Sequence, residues 1–239
     1  MNEIATDRMH LTKDELVAAN HILVQQGVLD AFGHVSARLY PESQSFLLSR
    51  NLAPESVTSD DLVIHDFDGG TKDNRPLYLE RFLHAEIYRM RPDVMAVVHS
   101  HSPSIIPFGL GNLRLRPVIH MAGFLPAEGV RTYEISEYVG NASDLLISTP
   151  ELGVSLASAL GDKPVILMRG HGSVVIGESV PEAVFRAIYA EVNAAIQRDA
   201  LGFGEAIRYL TEGEANAARA SVAGQVSRAW NVWLQAVST

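Results

Sequence analysis

The chain has 239 residues, of which 20% are charged and none is cysteine, and its formal net charge is −9. The lack of cysteine excludes disulfides, thiolate metal sites and a cysteine nucleophile, so any transition metal must be held by imidazole and carboxylate groups. The negative charge makes nucleic acids and anionic membranes poor partners, because binding phosphate requires clustered positive charge.

The first ninety residues predict one long helix, three short strands and a second helix. Thr12 and Glu15 match a capping box, which predicts a helix over residues 12–27. Short strands are predicted over residues 32–39, 46–49 and 61–65, with turn residues between them. Apolar residues at helical spacing then predict a helix over residues 77–90, which ends before a proline.

The remainder of the chain also alternates between strand and helix patterns. Residues 94–99 are rich in β-branched side chains, which is typical of a strand buried on both faces. Further strands are predicted over residues 165–168 and 173–176, and helices over residues 149–160, 180–201 and 211–233. A brief helix is expected at Ser102-Pro103, followed by an irregular stretch. Because no linker-like stretch interrupts this alternation, we expect one three-layer α/β domain over residues 1–239.

Three histidines lie at the ends of predicted strands. His99 and His101 end the strand over residues 94–99, and alternate residues of a strand point to the same face, so both imidazoles project together. His171 lies between two glycines, where small neighbours allow a ligand or another backbone to approach closely. The paired histidines point to a metal site. The alternative for each of the three is an ordinary surface or capping histidine.

One carboxylate, Glu80, comes early in the predicted helix over residues 77–90. His84 follows four residues later on the same face of that helix. Glu80 can be explained by the helix dipole, which favours a carboxylate in the first turn. His84 can be explained as a core histidine or as a partner that supports a neighbouring functional group.

The order of these residues resembles the class II aldolase/adducin family, which includes fuculose-phosphate aldolase and ribulose-phosphate epimerase. The resemblance rests on Glu80, then His99-x-His101, and then His171 between its two glycines. It covers most of the chain, from the strand that begins near Gly33 to the long helix after His171. It implies a mixed, largely antiparallel central sheet covered by helices, and a homotetramer with sites between subunits.

The same resemblance implies roles for four residues. His99, His101 and His171 would bind one divalent metal ion per subunit, and Glu80 would be the acid/base and could also ligate the metal. Three neutral imidazoles leave coordination positions open, as catalytic metal sites require. Zn²⁺ is expected, or else Mn²⁺, Fe²⁺ or Co²⁺, because sites of histidine and carboxylate accept all of them.

The chain departs from the sugar-phosphate aldolases where those proteins hold phosphate. Their small hydroxyl and glycine residues are replaced by His34, by the segment around Ser49 and Arg50, and by Tyr78-Leu79. Arginine presents a planar fork that suits a carboxylate, and arginines outnumber lysines by 16 to 3. We therefore expect His34, Ser49 and Arg50 to bind a substrate carboxylate rather than a phosphate. Arg50 could instead be an ordinary surface arginine.

Residues 49–61 resemble the branch of the family that decarboxylates hydroxylated aromatic dicarboxylates such as dihydroxyphthalate. Our leading hypothesis is therefore a metal-dependent lyase that decarboxylates such an acid. The first alternative is a metal-dependent aldolase that cleaves an unphosphorylated hydroxy-keto compound. A non-catalytic, adducin-like assembly module is the second alternative. A related branch contains iron-dependent oxygenases, so the metal site alone does not decide the reaction.

Further expectations concern partners and location. A small-molecule carboxylate is expected as the substrate, with no nucleic acid or membrane partner. No apolar run reaches the roughly 18 residues that a transmembrane helix needs. The beginning of the chain lacks a basic region followed by an apolar stretch, so we expect no signal peptide and a cytoplasmic location.

Overall fold

The computed structural model describes residues 3–238, and seven strands in it form one mixed sheet. The strand order across the sheet is β3-β2-β1-β4-β7-β6-β5, and every neighbouring pair is antiparallel except β5 and β6. The strands are β1 (His34–Arg38), β2 (Ser45–Ser49), β3 (Leu62–Asp66), β4 (Ala96–Ser100), β5 (Thr132–Tyr133), β6 (Val165–Met168) and β7 (Gly172–Gly177). The expected mixed, largely antiparallel sheet is confirmed.

Seven α-helices accompany the sheet in the described part of the chain. They are α1 (Glu3–Gln25), α2 (Arg81–Met90), α3 (Ser136–Val139), α4 (Pro150–Leu160), α5 (Val180–Gly202), α6 (Glu212–Ala223) and α7 (Val226–Val237). Short 3₁₀ helices occur at Pro54–Ser56, Ser59–Asp61, Ile106–Gly109 and His120–Ala122. None of the helices in residues 3–238 is both long and apolar enough to cross a bilayer.

Helices cover both faces of the sheet, and each face has its own apolar core. On one face, side chains of α1, α5 and α7 pack against alternate sheet residues such as Val35 and Val98. On the other face, side chains of α2 and α4 pack against Phe46 and Val97. This alternation follows from the two-residue repeat of a strand. The three-layer α/β/α class is confirmed, and the assignment of residues 1–239 to one domain stays a prediction.

Strand pairing brings distant parts of the chain together at one region of the sheet. In the register of β1 and β4, His34 lies opposite His99. In the register of β4 and β7, Ser100 lies opposite Ser173. His171 immediately precedes β7, so the end of β4 and the beginnings of β1 and β7 meet at this point.

The first two helices begin at other residues than the sequence predicts. α1 begins at Glu3, so Thr12 lies inside it, because the preceding residues are helical and their carbonyls accept the amide hydrogens that a cap would otherwise satisfy. α2 begins at Arg81 rather than at residue 77. The Tyr78 hydroxyl donates to the Leu52 carbonyl over 2.5 Å and holds this segment outside the helix. Glu80 is therefore the N-cap residue and not part of the first turn.

The end of the chain also differs from its prediction. One helix is expected up to Trp233, but it is divided into α6 and α7 at Gly224 and Gln225. The capping box of Thr211 and Glu214 at the start of α6 is present as predicted. A helix does not begin at Ser102, and a 3₁₀ helix follows at Ile106–Gly109 instead.

Candidate metal centre

The end of β4 places two imidazoles side by side. His99 is fully buried in the strand, and His101 is the first residue after it. Their Nε2 atoms are 3.2 Å apart. The prediction that these alternate residues project to the same face is therefore met by the geometry.

The third imidazole, His171, comes from the turn between β6 and β7. Its Nε2 atom lies 3.0 Å from Nε2 of His101. The flanking glycines are required by the backbone: Gly170 has φ +67°, and a Cβ atom on Gly172 would lie 2.1 Å from the Ser100 carbonyl oxygen. Glycine at both positions thus allows His171 to approach the end of β4.

The other ring nitrogens of two of these histidines are held by backbone carbonyls. Nδ1 of His99 donates to the Ser173 carbonyl over 3.1 Å, and Nδ1 of His171 donates to the Leu145 carbonyl over 2.9 Å. In a neutral imidazole with its hydrogen on Nδ1, Nε2 carries a lone pair. Lone pairs from at least two imidazoles therefore point at the same small region. Such an arrangement fits a shared cation, and this kind of backbone support is typical of metal-binding histidines.

Glu80 adds a carboxylate to the three imidazoles. Its Oε2 atom lies 3.4 Å from Nε2 of His99 and 3.6 Å from Nε2 of His171. Its Oε1 atom accepts a hydrogen bond from the Ile147 amide over 3.1 Å. One oxygen is thus fixed by the backbone while the other faces the imidazoles.

The segment from Leu145 to Ile147 holds both Glu80 and His171 in place. The Leu145 carbonyl accepts from His171, and the Ile147 amide donates to Glu80. Leu145 has φ 68°, the only positive φ of a non-glycine residue in the part of the chain that the structure describes. A left-handed leucine is strained, and such strain persists where the surrounding structure enforces it.

Burial and mutual contact set the protonation of the cluster. Burial lowers the pKa of His101 to about 4 and also lowers the pKa of His171, so both rings are neutral at pH 7. Burial raises the pKa of Glu80, but charge interaction and hydrogen bonding with His99 lower it by more, and the net shift is downward. Glu80 is accordingly a carboxylate at neutral pH.

Four donor atoms, one each from Glu80, His99, His101 and His171, lie within 4.8 Å of one another. Three imidazole nitrogens and one carboxylate oxygen are the ligands that Zn²⁺ and similar divalent ions bind in proteins. The donor set therefore fits a divalent metal ion, and it brings together the three histidines predicted as ligands and Glu80, predicted as the acid/base.

The predicted substrate residue His34 lies beside this cluster. Its ring centroid is 5.0 Å from that of His99 and 4.5 Å from that of Tyr78. His34 and His84 are 2.7 Å apart between Nδ1 and Nε2 and share a hydrogen. Burial lowers the pKa of both rings, so both are neutral. His84 thus contacts His34, which fits the supporting role considered for it.

Ser49 is the buried last residue of β2, and Arg50 follows it. Arg50 donates from Nε to Oδ1 of Asp61 over 2.8 Å, and its side chain is 35% exposed. The Nη groups of Arg50 make no hydrogen bond within residues 3–238. Asp61 therefore compensates part of the Arg50 charge while leaving donors free, and the carboxylate role of Arg50 and Ser49 stays a prediction.

One aromatic side chain near the metal centre is missing from the sequence predictions. The Phe32 ring is 67% exposed, and its centroid lies 6.4 Å from that of His101. Its amide donates to Oδ1 of Asp30 over 2.8 Å, which fixes the turn before β1. The only sequence signal was the Asp-x-Phe spacing, in which an aspartate caps the amide two residues later.

Known proteins resemble this chain over most of its length. A family model described as the class II aldolase and adducin N-terminal domain matches residues 14–198. Decarboxylase tropJ of Talaromyces stipitatus is 36% identical over 247 residues, which covers 93% of this chain and 92% of that protein. The 3,4-dihydroxyphthalate decarboxylase of Arthrobacter keyseri is 28% identical over 218 residues, which covers 84% of each.

Among solved structures, L-fuculose 1-phosphate aldolase from Glaciozyma antarctica is similar to the chain with a TM-score of 0.75 at 22% identity. The match covers 98% of this chain and 92% of that chain. At this level of identity the likeness shows a common fold and carries no information about the substrate.

Proposed function

The chain belongs to the class II aldolase and adducin family, and on that premise we propose that it decarboxylates a hydroxylated aromatic dicarboxylate with the help of a divalent metal ion. The observation that carries the proposal is the convergence of three imidazoles and the Glu80 carboxylate. Two relatives named as decarboxylases, each matching more than four fifths of the chain, support an enzyme of the lyase class.

In this proposal His99, His101 and His171 hold the metal ion, with Glu80 as a neighbour or a fourth ligand. Neutral imidazole ligands leave the ion its positive charge and leave positions open for substrate oxygens. When bound, the ion supplies electrostatic stabilisation of the negative charge that remains on the substrate after carbon dioxide departs. The backbone partners of His99 and His171 keep both rings oriented for this task.

Glu80 moves the proton that the reaction requires. Because its pKa is lowered, Glu80 enters the reaction as a carboxylate and first accepts the proton of the substrate's phenolic hydroxyl. It then returns that proton to the ring carbon that carries the carboxyl group, and the carbon–carbon bond breaks as carbon dioxide leaves and the ring regains its aromaticity. One proton from solvent then restores the hydroxyl of the product.

The remaining residues bind the substrate. His34, Ser49 and Arg50 hold the second carboxylate, for which the free Nη donors of Arg50 are suited. Phe32, exposed beside His101, offers a face for an aromatic ring. Together these groups fit a flat, doubly charged acid better than a sugar phosphate.

The test is to incubate the metal-loaded protein with a panel of dihydroxyphthalate-type acids and measure carbon dioxide. We expect release of carbon dioxide from at least one acid with adjacent hydroxyl and carboxyl groups. The fold shared with an aldolase favours one other candidate, cleavage of an unphosphorylated hydroxy-keto compound by the same metal centre. Aldehyde release without carbon dioxide across the panel would replace the decarboxylase proposal with this one.

Three further expectations belong to this proposal. The ion is Zn²⁺, Mn²⁺, Fe²⁺ or Co²⁺, since all accept imidazole and carboxylate ligands. The working form is a homotetramer, as the family resemblance implies, and the location is cytoplasmic. Light scattering of the purified protein and elemental analysis after purification without chelator test the oligomer and the ion directly.

A further inference from the structure

A chain of hydrogen bonds leads from His34 into the core beneath the metal centre. Nδ1 of His34 lies 2.7 Å from Nε2 of His84, and Nδ1 of His84 lies 2.7 Å from Oγ of Ser36. Oγ of Ser36 lies in turn 2.8 Å from the hydroxyl of Tyr88. All four side chains are buried, with at most 3% of each exposed. We call this chain the relay.

The Tyr88 end determines the order of hydrogens along the relay. The Tyr88 ring packs against Phe46 and Phe67, and in residues 3–238 its hydroxyl hydrogen has no acceptor other than Ser36. Because buried polar hydrogens are almost always paired, the phenol donates to Ser36. Ser36 must then donate to Nδ1 of His84, since a hydroxyl has only one hydrogen.

The same reasoning continues through the two histidines. With Nδ1 of His84 accepting, the neutral ring carries its hydrogen on Nε2 and donates it to Nδ1 of His34. His34 must then carry its own hydrogen on Nε2, which makes no hydrogen bond within the described residues. The opposite order would leave the buried phenol hydrogen of Tyr88 without an acceptor.

We propose that Tyr88, acting through Ser36 and His84, holds His34 in the Nε2–H form, so that His34 donates a hydrogen bond to an anionic oxygen of the substrate. Tyr88 is thus a positioning residue, and His34 is the group that touches the substrate. The substrate step rests on the proposed function, while the order of hydrogens rests on the geometry alone. Without the relay, His34 would as readily present a lone pair, which repels a carboxylate.

The test compares Tyr88→Phe with a matched control in the zinc-loaded protein. Tyr88→Phe removes the hydroxyl and keeps the ring that packs in the core. Tyr133→Phe is the control, because Tyr133 is also buried and its hydroxyl also lies on a serine, 2.6 Å from Oγ of Ser155. Two kinds of measurement are made. The first records the ¹⁵N chemical shifts of the His34 ring, assigned by comparison with a His34→Gln variant. The second determines KM and kcat for the acid that the protein decarboxylates.

In the wild type we expect the ¹⁵N shifts to place the hydrogen of His34 on Nε2. Tyr88→Phe should move the shifts toward a mixture of both forms and raise KM several-fold, up to roughly tenfold for a weakened charge-assisted hydrogen bond. The change in kcat should be smaller than the change in KM, because Glu80 and the metal ligands are untouched. Tyr133→Phe should leave both measurements unchanged.

A wild-type His34 with its hydrogen on Nδ1 would overturn the relay, and so would unchanged shifts in Tyr88→Phe. If Tyr88→Phe does not fold, Ser36→Ala cuts the same chain and is expected to give the same mixture of forms. The two proposals fail in distinguishable ways. If the protein releases carbon dioxide but His34 carries its hydrogen on Nδ1, only the relay is overturned. If His34 carries its hydrogen on Nε2 but the protein releases no carbon dioxide, the proposed function and the substrate step are overturned.

Discussion

At the scale of single residues, the proposed function makes Glu80 the group on which proton transfer depends. Glu80→Gln keeps the size of the side chain and an oxygen that accepts from the Ile147 amide, but the amide cannot take up a proton. We expect kcat to fall by roughly 10²–10⁴-fold, the usual contribution of a positioned acid/base. Steady-state kinetics with the acid that the protein decarboxylates measures this change in kcat.

The matched control is Glu151→Gln, an exposed glutamate in α4 that lies outside the metal centre. It should leave kcat within a factor of about two, since surface substitutions have small effects. A Glu80→Gln variant with wild-type kcat would show that another group moves the proton.

His65 is a second residue whose chemistry makes a measurable prediction. The ring is fully buried and stacked on Phe46, and neither ring nitrogen makes a hydrogen bond. Burial lowers the pKa of His65 to about 4, below the ordinary histidine value. The folded protein therefore disfavours the protonated ring. As the pH falls from about 6.5 toward 4, the unfolded chain binds a proton on His65 and the folded protein does not, so the free energy of unfolding decreases over this range.

His65→Phe keeps an aromatic ring against Phe46 and removes the titrating group. Between pH 7 and pH 5 the wild type should lose about 2 kcal/mol of unfolding free energy through His65 alone, and the variant should lose that much less. Urea denaturation at both pH values measures the difference. Equal losses in the two proteins would mean that His65 is not held neutral in the folded state.

The grouping of the candidate metal residues was predicted from local patterns together with the family resemblance, and their role as ligands stays a prediction. Alternation along a strand places His99 and His101 together, and the two glycines around His171 signal a close backbone approach. The parts that local rules miss depend on distant contacts. Asp61, which pairs with Arg50, lies in the segment between β2 and β3, and Tyr88 contacts Ser36 although they lie 52 positions apart in the chain. No single-sequence pattern reports such contacts.

At the scale of secondary-structure elements, the junction between β4 and β7 sets the positions of the candidate metal ligands His101 and His171. Gly172→Ala would place a Cβ atom 2.1 Å from the Ser100 carbonyl, so the two strands must separate just where His101 and His171 meet. We expect a loss of about 1–3 kcal/mol or more in unfolding free energy, together with weaker metal binding. Urea denaturation and metal titration measure the two effects.

Gly224→Ala is the control for this substitution, because it adds the same methyl group at the end of α6. Gly224 has φ −75°, and beyond its neighbours in the chain no atom lies within 4 Å of where an added Cβ atom would be. Alanine there should be neutral or stabilise the protein by about 0.4–1 kcal/mol. If Gly172→Ala matched this control in both stability and metal binding, the junction would not position the ligands.

The elements whose limits were well predicted carry strong end signals. Thr149 caps α4 and Ser179 caps α5, and each side chain accepts a hydrogen bond from an amide in the first turn of its helix. Each helix also has a proline at its first or second position. The predicted starts of α1 and α2 were wrong because neighbouring segments and distant contacts determine where these helices begin. An internal Thr12 resembles a cap, and Tyr78 is held outside α2 by a carbonyl that lies 26 residues away.

At the scale of the whole molecule, we expect the fold to persist without a metal ion. The two faces of the sheet carry separate cores that are built from apolar side chains, whereas the four candidate metal residues are polar. Alternating helix and strand patterns predicted these layers, but the strand order depends on pairings between distant segments and could not be read from one sequence. Burial of apolar surface supplies most of the stability of such a domain. Removal of a single ligand should therefore leave the protein folded.

His101→Ala uses this independence to test the metal centre. His101 is half-buried, and within residues 3–238 its Nε2 atom lies within hydrogen-bond distance only of the His99 and His171 imidazoles. The variant should keep the wild-type circular dichroism spectrum and lose most of its bound metal, because a three-imidazole site becomes a two-imidazole site. His120→Ala is the matched control, since His120 is an exposed histidine outside the cluster.

The most direct test measures bound metal and carbon dioxide release in the same samples. Wild type, His101→Ala and His120→Ala are dialysed against Zn²⁺ or Mn²⁺ and then supplied with a dihydroxyphthalate. The account predicts one ion per subunit in the wild type and in His120→Ala, carbon dioxide release in proportion to bound metal, and loss of both in a folded His101→Ala. Carbon dioxide release by metal-free wild type, or full metal content in His101→Ala, would contradict it.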